Sequence, residues 1–154
     1  MSVKVIDKGW KKVQSAIKDM TGATVKVGYP QSKARPHGDK SPIDIATLAG
    51  IHEYGTATIP ARPFQAQAFD KNLSKIDAMV KKEVSAVIDG DRTIRQSLQR
   101  IGVFHKGNIQ AIFDGGSFAP NKPATVKAKG SSKPLIEDGQ LRQSVDFEVV
   151  EGRK

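Results

Sequence analysis

The chain contains no cysteine, which excludes a disulfide framework and any thiolate metal site and suits folding in a reducing compartment. Aromatic side chains are scarce: one tryptophan, two tyrosines and six phenylalanines. With a hydrophobic share of 38%, such a chain is expected to build a thin core, completed by neighbouring subunits or by segments that order on docking. No apolar stretch approaches the roughly 20 residues of a membrane span. The first residues, Met1-Ser2-Val3-Lys4-Val5-Ile6-Asp7, lack the continuous apolar run of a signal peptide. The expectation is a soluble protein made in the cytoplasm, with no membrane partner.

What the chain does have is positive charge. Its formal net charge of +9 biases it toward acidic partners, nucleic acid first among them. The lysines and arginines are spread along the sequence rather than gathered in one block, a pattern that reads as solvation more than as a nucleic-acid footprint. A length of 154 residues fits one domain, since single cores organise on the order of 100–200 residues.

The hydrophobic spacing predicts an α+β fold of long amphipathic helices packed on a small antiparallel sheet. Ile6, Trp10, Val13, Ile17 and Met20 recur at steps of four and three, which predicts a helix over about residues 4–20, stopped by Gly22. Val25, Val27 and Tyr29 alternate with polar residues as in a half-buried strand. Residues 30–41 carry two prolines, a glycine and several charges with no apolar period, and read as an exposed mobile loop. Ser41 followed by Pro42 reads as a helix N-cap, opening a short helix from Ile43 to Tyr54 that ends at Gly55.

Beyond a stiff link from Thr56 to Pro63, the stripe Phe69, Leu73, Ile76, Val80, Val84 and Val87 predicts a long helix over 64–88. A second begins at Thr93, whose spacing to Gln96 matches a capping box. Its stripe is Ile94, Leu98, Ile101, His105, Ile109 and Ile112, interrupted by Gly102 and Gly107, which imply close packing or a bend. Residues 115–133, rich in Pro, Gly, Ser and Lys, read as a second mobile loop with a short strand at Thr125–Ala128. A helical turn over 138–144 precedes a terminal strand with Val145, Phe147 and Val149 on one face.

No catalytic set converges. His52-Glu53 begins like a zincin helix motif, but the second ligand position is Thr56, so the two-histidine geometry is missing. His37, His52 and His105 share no ligand spacing, and Ser15 with Lys18 has no companion residues. His105 on an apolar stripe reads as a core or interface histidine rather than a general base. Neither a phosphate loop nor a nucleophile elbow is present. The expectation is a non-enzymatic protein with no cofactor and no metal.

Two separated segments stand out. The first is Ala49-Gly50-Ile51-His52-Glu53-Tyr54-Gly55-Thr56, followed by Ile59-Pro60-Ala61-Arg62-Pro63-Phe64. The second is Lys133-Pro134-Leu135-Ile136-Glu137-Asp138-Gly139-Gln140-Leu141-Arg142-Gln143-Ser144-Val145, preceded by Pro123-Ala124-Thr125. Together, and in this order, they resemble the signature of bacteriophage neck and tail-completion proteins, with Glu137-Asp138 standing where Asp-Thr is usual. The resemblance spans about residues 23–150. It implies a structural virion protein at the head–tail junction of a tailed phage, working as a ring, six-fold favoured, that joins tail to head. The partners implied are copies of itself, adjacent neck, head-completion or tail-terminator proteins, and DNA in the axial channel. The motif residues expected to carry structure or interface are His52, Glu53, Tyr54, Gly55, Thr56, Pro60, Arg62, Pro63, Phe64, Pro134, Leu135, Ile136, Gly139, Leu141 and Arg142. The alternative is a basic nucleic-acid-binding module.

Apart from the resemblance, Pro60 and Pro63 hold Ala61-Arg62 extended, so this segment loses little entropy on docking. Glu53 is the acidic residue nearest in sequence to Arg62. A bidentate Arg62–Glu53 pair is therefore expected to clasp the turn, within one chain or between two, with Phe64 anchoring the long helix in the core.

Overall fold

The computed structural model describes residues 9–33, 36, 43–136 and 139–150. In chain order it contains α1 (Trp10–Met20), β1 (Thr24–Gly28), α2 (Ile45–Tyr54), α3 (Phe64–Asp89), α4 (Ile94–Gly115), α5 (Pro123–Lys129), α6 (Gln140–Gln143) and β2 (Asp146–Val150). This is an α+β fold dominated by helix. The hairpin of α3 and α4 is its base, and both strands of a two-stranded antiparallel sheet pack on α4. The register runs from Thr24 opposite Val150 to Gly28 opposite Asp146.

Most boundaries follow from local chemistry. Thr93 and Gln96 close a reciprocal capping box at the start of α4, satisfying two amides that a helix start otherwise leaves open. Gly22, Gly55 and Gly90 all take positive φ just past a helix end. The N-cap of α2 is Asp44, whose carboxylate accepts from the Thr47 amide at 2.7 Å. The expected Ser41 and Pro42 start lies outside the described residues, and the helix begins at Ile45 rather than Ile43. Residues 4–8 of the first predicted helix also lie outside them.

Residues 115–133 are not the irregular loop the composition implied. Pro123 to Lys129 is a helix, with Pro at its start and Gly130 at φ 67 just past its end. Proline at the first position and glycine past the last is a helix signature, and it outweighs the short alternation of Thr125-Val126-Lys127-Ala128 that suggested a strand. In the expected loop at 30–41, Gln31–Lys33 forms a 3-10 turn and Pro36 bridges Asp44; residues 34, 35 and 37–41 lie outside the described residues.

The core gathers Ile45 and Ala49 of α2, Phe64 and Ala68 of α3, Ile109, Ile112 and Phe113 of α4, and Leu135, Leu141 and Val145 near the C-terminal strand. Gly102 is explained by the sheet. A Cβ there would fall 2.5 Å from the Phe147 ring, so the glycine lets β2 lie close on α4. A Cβ at Gly107 would meet no packing neighbour within 4 Å among the described residues, and the structure gives no reason for a glycine there.

Helix α3 leaves most of its apolar stripe exposed. Its buried residues are Phe64, Ala68, Glu83, Ala86 and Val87, whereas Phe69 (45%), Leu73 (52%), Val80 (37%) and Val84 (37%) are exposed. Periodicity locates an apolar stripe without saying what covers it. On α1, likewise, Ala16 is buried while Trp10 and Ile17 are exposed.

Glu83 is fully buried, and its carboxylate accepts from Arg100 Nε at 2.8 Å and meets Arg92 at 3.5 Å. Burial alone would raise this carboxyl, but the Arg100 and Ser97 hydrogen bonds and the two guanidinium charges hold it below its ordinary value. Asp146, at the start of β2, takes Lys33 at 2.7 Å and Lys106 at 3.2 Å. Burial pushes it up as well, and the hydrogen bonds from Lys33, the Phe147 amide and Lys106 bring it down to about 2. A carboxyl lowered on folding stabilises the fold above its unfolded pKa, near 3.9, and loses that contribution as the pH falls toward the folded value. The urea midpoint should therefore drop between about pH 4 and pH 2, and in Asp146→Asn that part of the drop should be missing. An identical pH profile in wild type and variant would contradict this assignment.

Candidate functional site

The two motif segments meet on one core. Phe64 from the first is fully buried, its ring 5.0 Å from Phe113 and edge-on to Tyr29 at 6.1 Å. Leu135, Leu141 and Val145 from the second close the same cluster. Tyr29 ties the halves together, because its hydroxyl donates to the Leu141 carbonyl at 2.8 Å. Burial raises the Tyr29 hydroxyl far above its ordinary pKa, with the Glu53 charge adding to the shift, so the tyrosine remains a hydrogen donor.

The first segment is a turn built backbone on backbone. The Gly55 amide donates to Ile51, that of Thr56 to Ile59, and that of Arg62 back to the His52 carbonyl at 2.6 Å. The Thr56 hydroxyl accepts from Thr58 and Ile59. Gly55 has φ 75, and a Cβ on it would sit 2.8 Å from the Ala61 nitrogen and 2.9 Å from the Ile59 carbonyl oxygen. Both neighbours are main chain and cannot swing away. Gly55→Ala is expected to cost about 2–4 kcal/mol, combining positive-φ strain with that clash; an unchanged thermal midpoint would show that the turn relaxes at no cost.

The expected Arg62–Glu53 pair does not form; each residue has a different task. The Glu53 carboxylate accepts from the Gln65 amide at 2.9 Å and the Ala66 amide at 3.0 Å. The N-cap position of α3 is Pro63, which makes no side-chain cap bond. Glu53 therefore supplies from α2 the acceptor that α3 lacks, and places its charge at the positive end of the helix dipole. Arg62 points the other way. Its Nε donates to the Ala119 carbonyl at 2.8 Å, and its terminal nitrogen to the Pro120 carbonyl at 3.1 Å and to Asn121 Oδ1 at 3.2 Å. The Asn121 amide passes the link on to the carbonyls of Ser132 and Lys133, next to Pro134. Arg62 is 6% exposed, and burial lowers its guanidinium pKa from the ordinary value. It is satisfied by neutral oxygens and fixes the segment ahead of α5.

The remaining motif residues divide. Gly139, at φ 77, opens α6, and Pro134 and Ile136 are half-buried beside Leu135, which itself takes φ 61. Arg142 leaves the clasp and meets Asp114 at 3.1 Å and the Gln110 carbonyl at 3.2 Å, pinning α6 to the end of α4. Tyr54 is 84% exposed, with Thr56, Ala57, Thr58 and Pro60 exposed after it. The turn is thus rigid below and presents an aromatic ring above. Phe113, Asn121 and Glu83 do not figure among the residues singled out from the sequence, and Tyr29 does so only as a strand residue. For Tyr29 and Phe113 apolar patterning offered a hint, whereas no local signal marks Asn121 as a bridge.

Among the described residues, no group of three or more His, Cys, Asp or Glu is placed to hold a metal ion, and no helix is long and apolar enough to cross a membrane. His105 packs edge-on against Phe69 at 6.0 Å, and burial lowers its pKa. Compared with known protein families, with curated proteins and with solved structures, the chain matches none.

Proposed function

We propose that this chain is a structural subunit of a tailed-phage virion, a neck or tail-completion protein that assembles with itself and with adjacent rings at the head–tail junction. The observation that carries the reading is the joining of the two motif segments. Phe64 and Leu141 share one core, and Arg62 with Asn121 spans the distance from the first motif to the approach to the second. Such a clasp holds a loop in one shape before any partner arrives, which reduces the ordering cost of docking. An exposed tyrosine on a rigid turn suits an interface anchor, because it offers large area with few rotamers to freeze. The net charge of +9 favours encounter with acidic neighbours or with DNA, and acts on association rate more than on final affinity.

Loss of the protein should leave DNA-filled heads and separate tails that fail to join. Complementation with Tyr54→Ala should restore a folded subunit with unchanged melting but fewer joined particles. Normal infectious particles without the protein would end this reading. If the purified chain instead shifts DNA at physiological salt and makes no assembly, it is a nucleic-acid-binding module.

A further inference from the structure

We propose that the uncovered stripe of α3 is a two-fold contact with a second copy of this chain, the two helices lying antiparallel about a point midway between Lys75 and Ile76. Phe69, Leu73, Val80 and Val84 are each more than a third exposed, with Ile76 half-buried among them. From Phe69 to Val84 the stripe spans about 22 Å at the helical rise. A continuous apolar face of that length on a chain with a small core is an interaction surface rather than scattered exposure.

Charge selects the occupant. Copies carrying +9 each repel one another across most of their surface. The solvent-side flank of this stripe carries Asp70, Asp77 and Lys81, two acids and one base. Like-charged copies can therefore approach here. The positions also match in register. Asp70 and Lys81 are equidistant from the midpoint between Lys75 and Ile76, so in the antiparallel pair Asp70 of each copy lies opposite Lys81 of the other. In antiparallel helices, residues on the same flank face one another. Lys81, already on Asp77 at 2.7 Å within its own helix, would then sit between two carboxylates. About the same point the apolar residues interdigitate. Phe69 faces the gap between the second copy's Val80 and Val84, and Leu73 the gap between its Ile76 and Val80, as ridges fit grooves in packed helices. One register thus satisfies both the apolar and the ionic residues, and a self-complementary patch is what a two-fold contact requires. The pair does not rest on the phage reading.

Sedimentation of the purified full chain across the micromolar range should show a monomer–dimer equilibrium. Leu73→Glu should weaken it about tenfold or more with unchanged circular dichroism, since Leu73 is half exposed. Asp70→Lys and Lys81→Asp should each weaken the pair, and the double exchange should restore it. In this cysteine-free chain, Asp77→Cys should cross-link to a dimer under mild oxidation, and Ser85→Cys, on another face of α3, should not. Monomers at every concentration would overturn the proposal. So would a dimer indifferent to Leu73→Glu, or charge variants that the double exchange fails to rescue.

Discussion

Phe64→Ala is expected to lower stability by about 3–5 kcal/mol, the range for removing a buried aromatic ring. For a chain of this length that is a fall in the thermal midpoint on the order of 10 °C. The site gives little room for collapse. Phe64 has no exposed surface, touches the rings of Tyr29 and Phe113, and begins the helix that forms one arm of the base hairpin. The cavity would open between the two motif segments, so the loss should also reach the Tyr29–Leu141 hydrogen bond. Amide exchange at Leu141 and its neighbours should speed up together with that in α2. Phe64→Leu should recover part of the loss by refilling the space. Equal midpoints for wild type and Phe64→Ala would mean that this core does not support the fold.

Glu53→Ala is expected to cost about 2–4 kcal/mol, because two charge-assisted hydrogen bonds end together and two amides at the start of α3 lose their acceptor. Glu53→Gln separates geometry from charge. The amide oxygen can keep one of the two bonds while the favourable interaction with the helix dipole is lost, so about half the cost should remain. An Arg62 variant disturbs a different place. Arg62→Met should free the segment from Ala119 to Asn121 and expose it to protease while leaving the start of α3 intact. Amide exchange at Gln65 and Ala66 reads the first defect, and amide exchange at Ala119 and Asn121 reads the second. If the Arg62 variant loosened Gln65 and Ala66 as much as Glu53→Ala does, the two residues would be acting as one unit, contrary to their separate partners.

The division between what could be read from the chain and what could not follows the range of each interaction. The Thr93–Gln96 capping box, the glycine stops and the two strands all rest on spacing within a few residues or on simple alternation, and the α+β outline came through them. Glu53 was misassigned because its donors, Gln65 and Ala66, lie past a turn. From sequence the nearer positive charge is the more obvious partner, yet backbone amides at a helix start carry positive potential without any charged residue to mark them. The α3 stripe was legible as a shared face but its exposure was not, since spacing reports that apolar residues share a face and not whether the same chain covers it. Helix α5 was hidden by composition: a segment rich in Lys, Pro and Gly looks irregular, although Pro123 and Gly130 stood at the positions where they bound a helix. Of the motif residues, Phe64 and Leu141 fell in the core as their apolar character suggested, and Tyr54 did not.

The pairing of Thr24–Gly28 with Asp146–Val150 also sets a timetable for synthesis. The early strand has no other strand partner among the described residues, and its mate is made more than a hundred residues later. The α3–α4 hairpin draws on contacts near in sequence and can form while the chain is still growing, whereas the sheet has to wait for Val150. Until then Val25 and Val27 present an unpaired edge next to a nascent hairpin, and a ribosome stalled anywhere short of β2 would hold a chain that is half folded and prone to pairing with its neighbours. Slowing translation within β2 should therefore increase aggregation more than the same pause placed between α3 and α4.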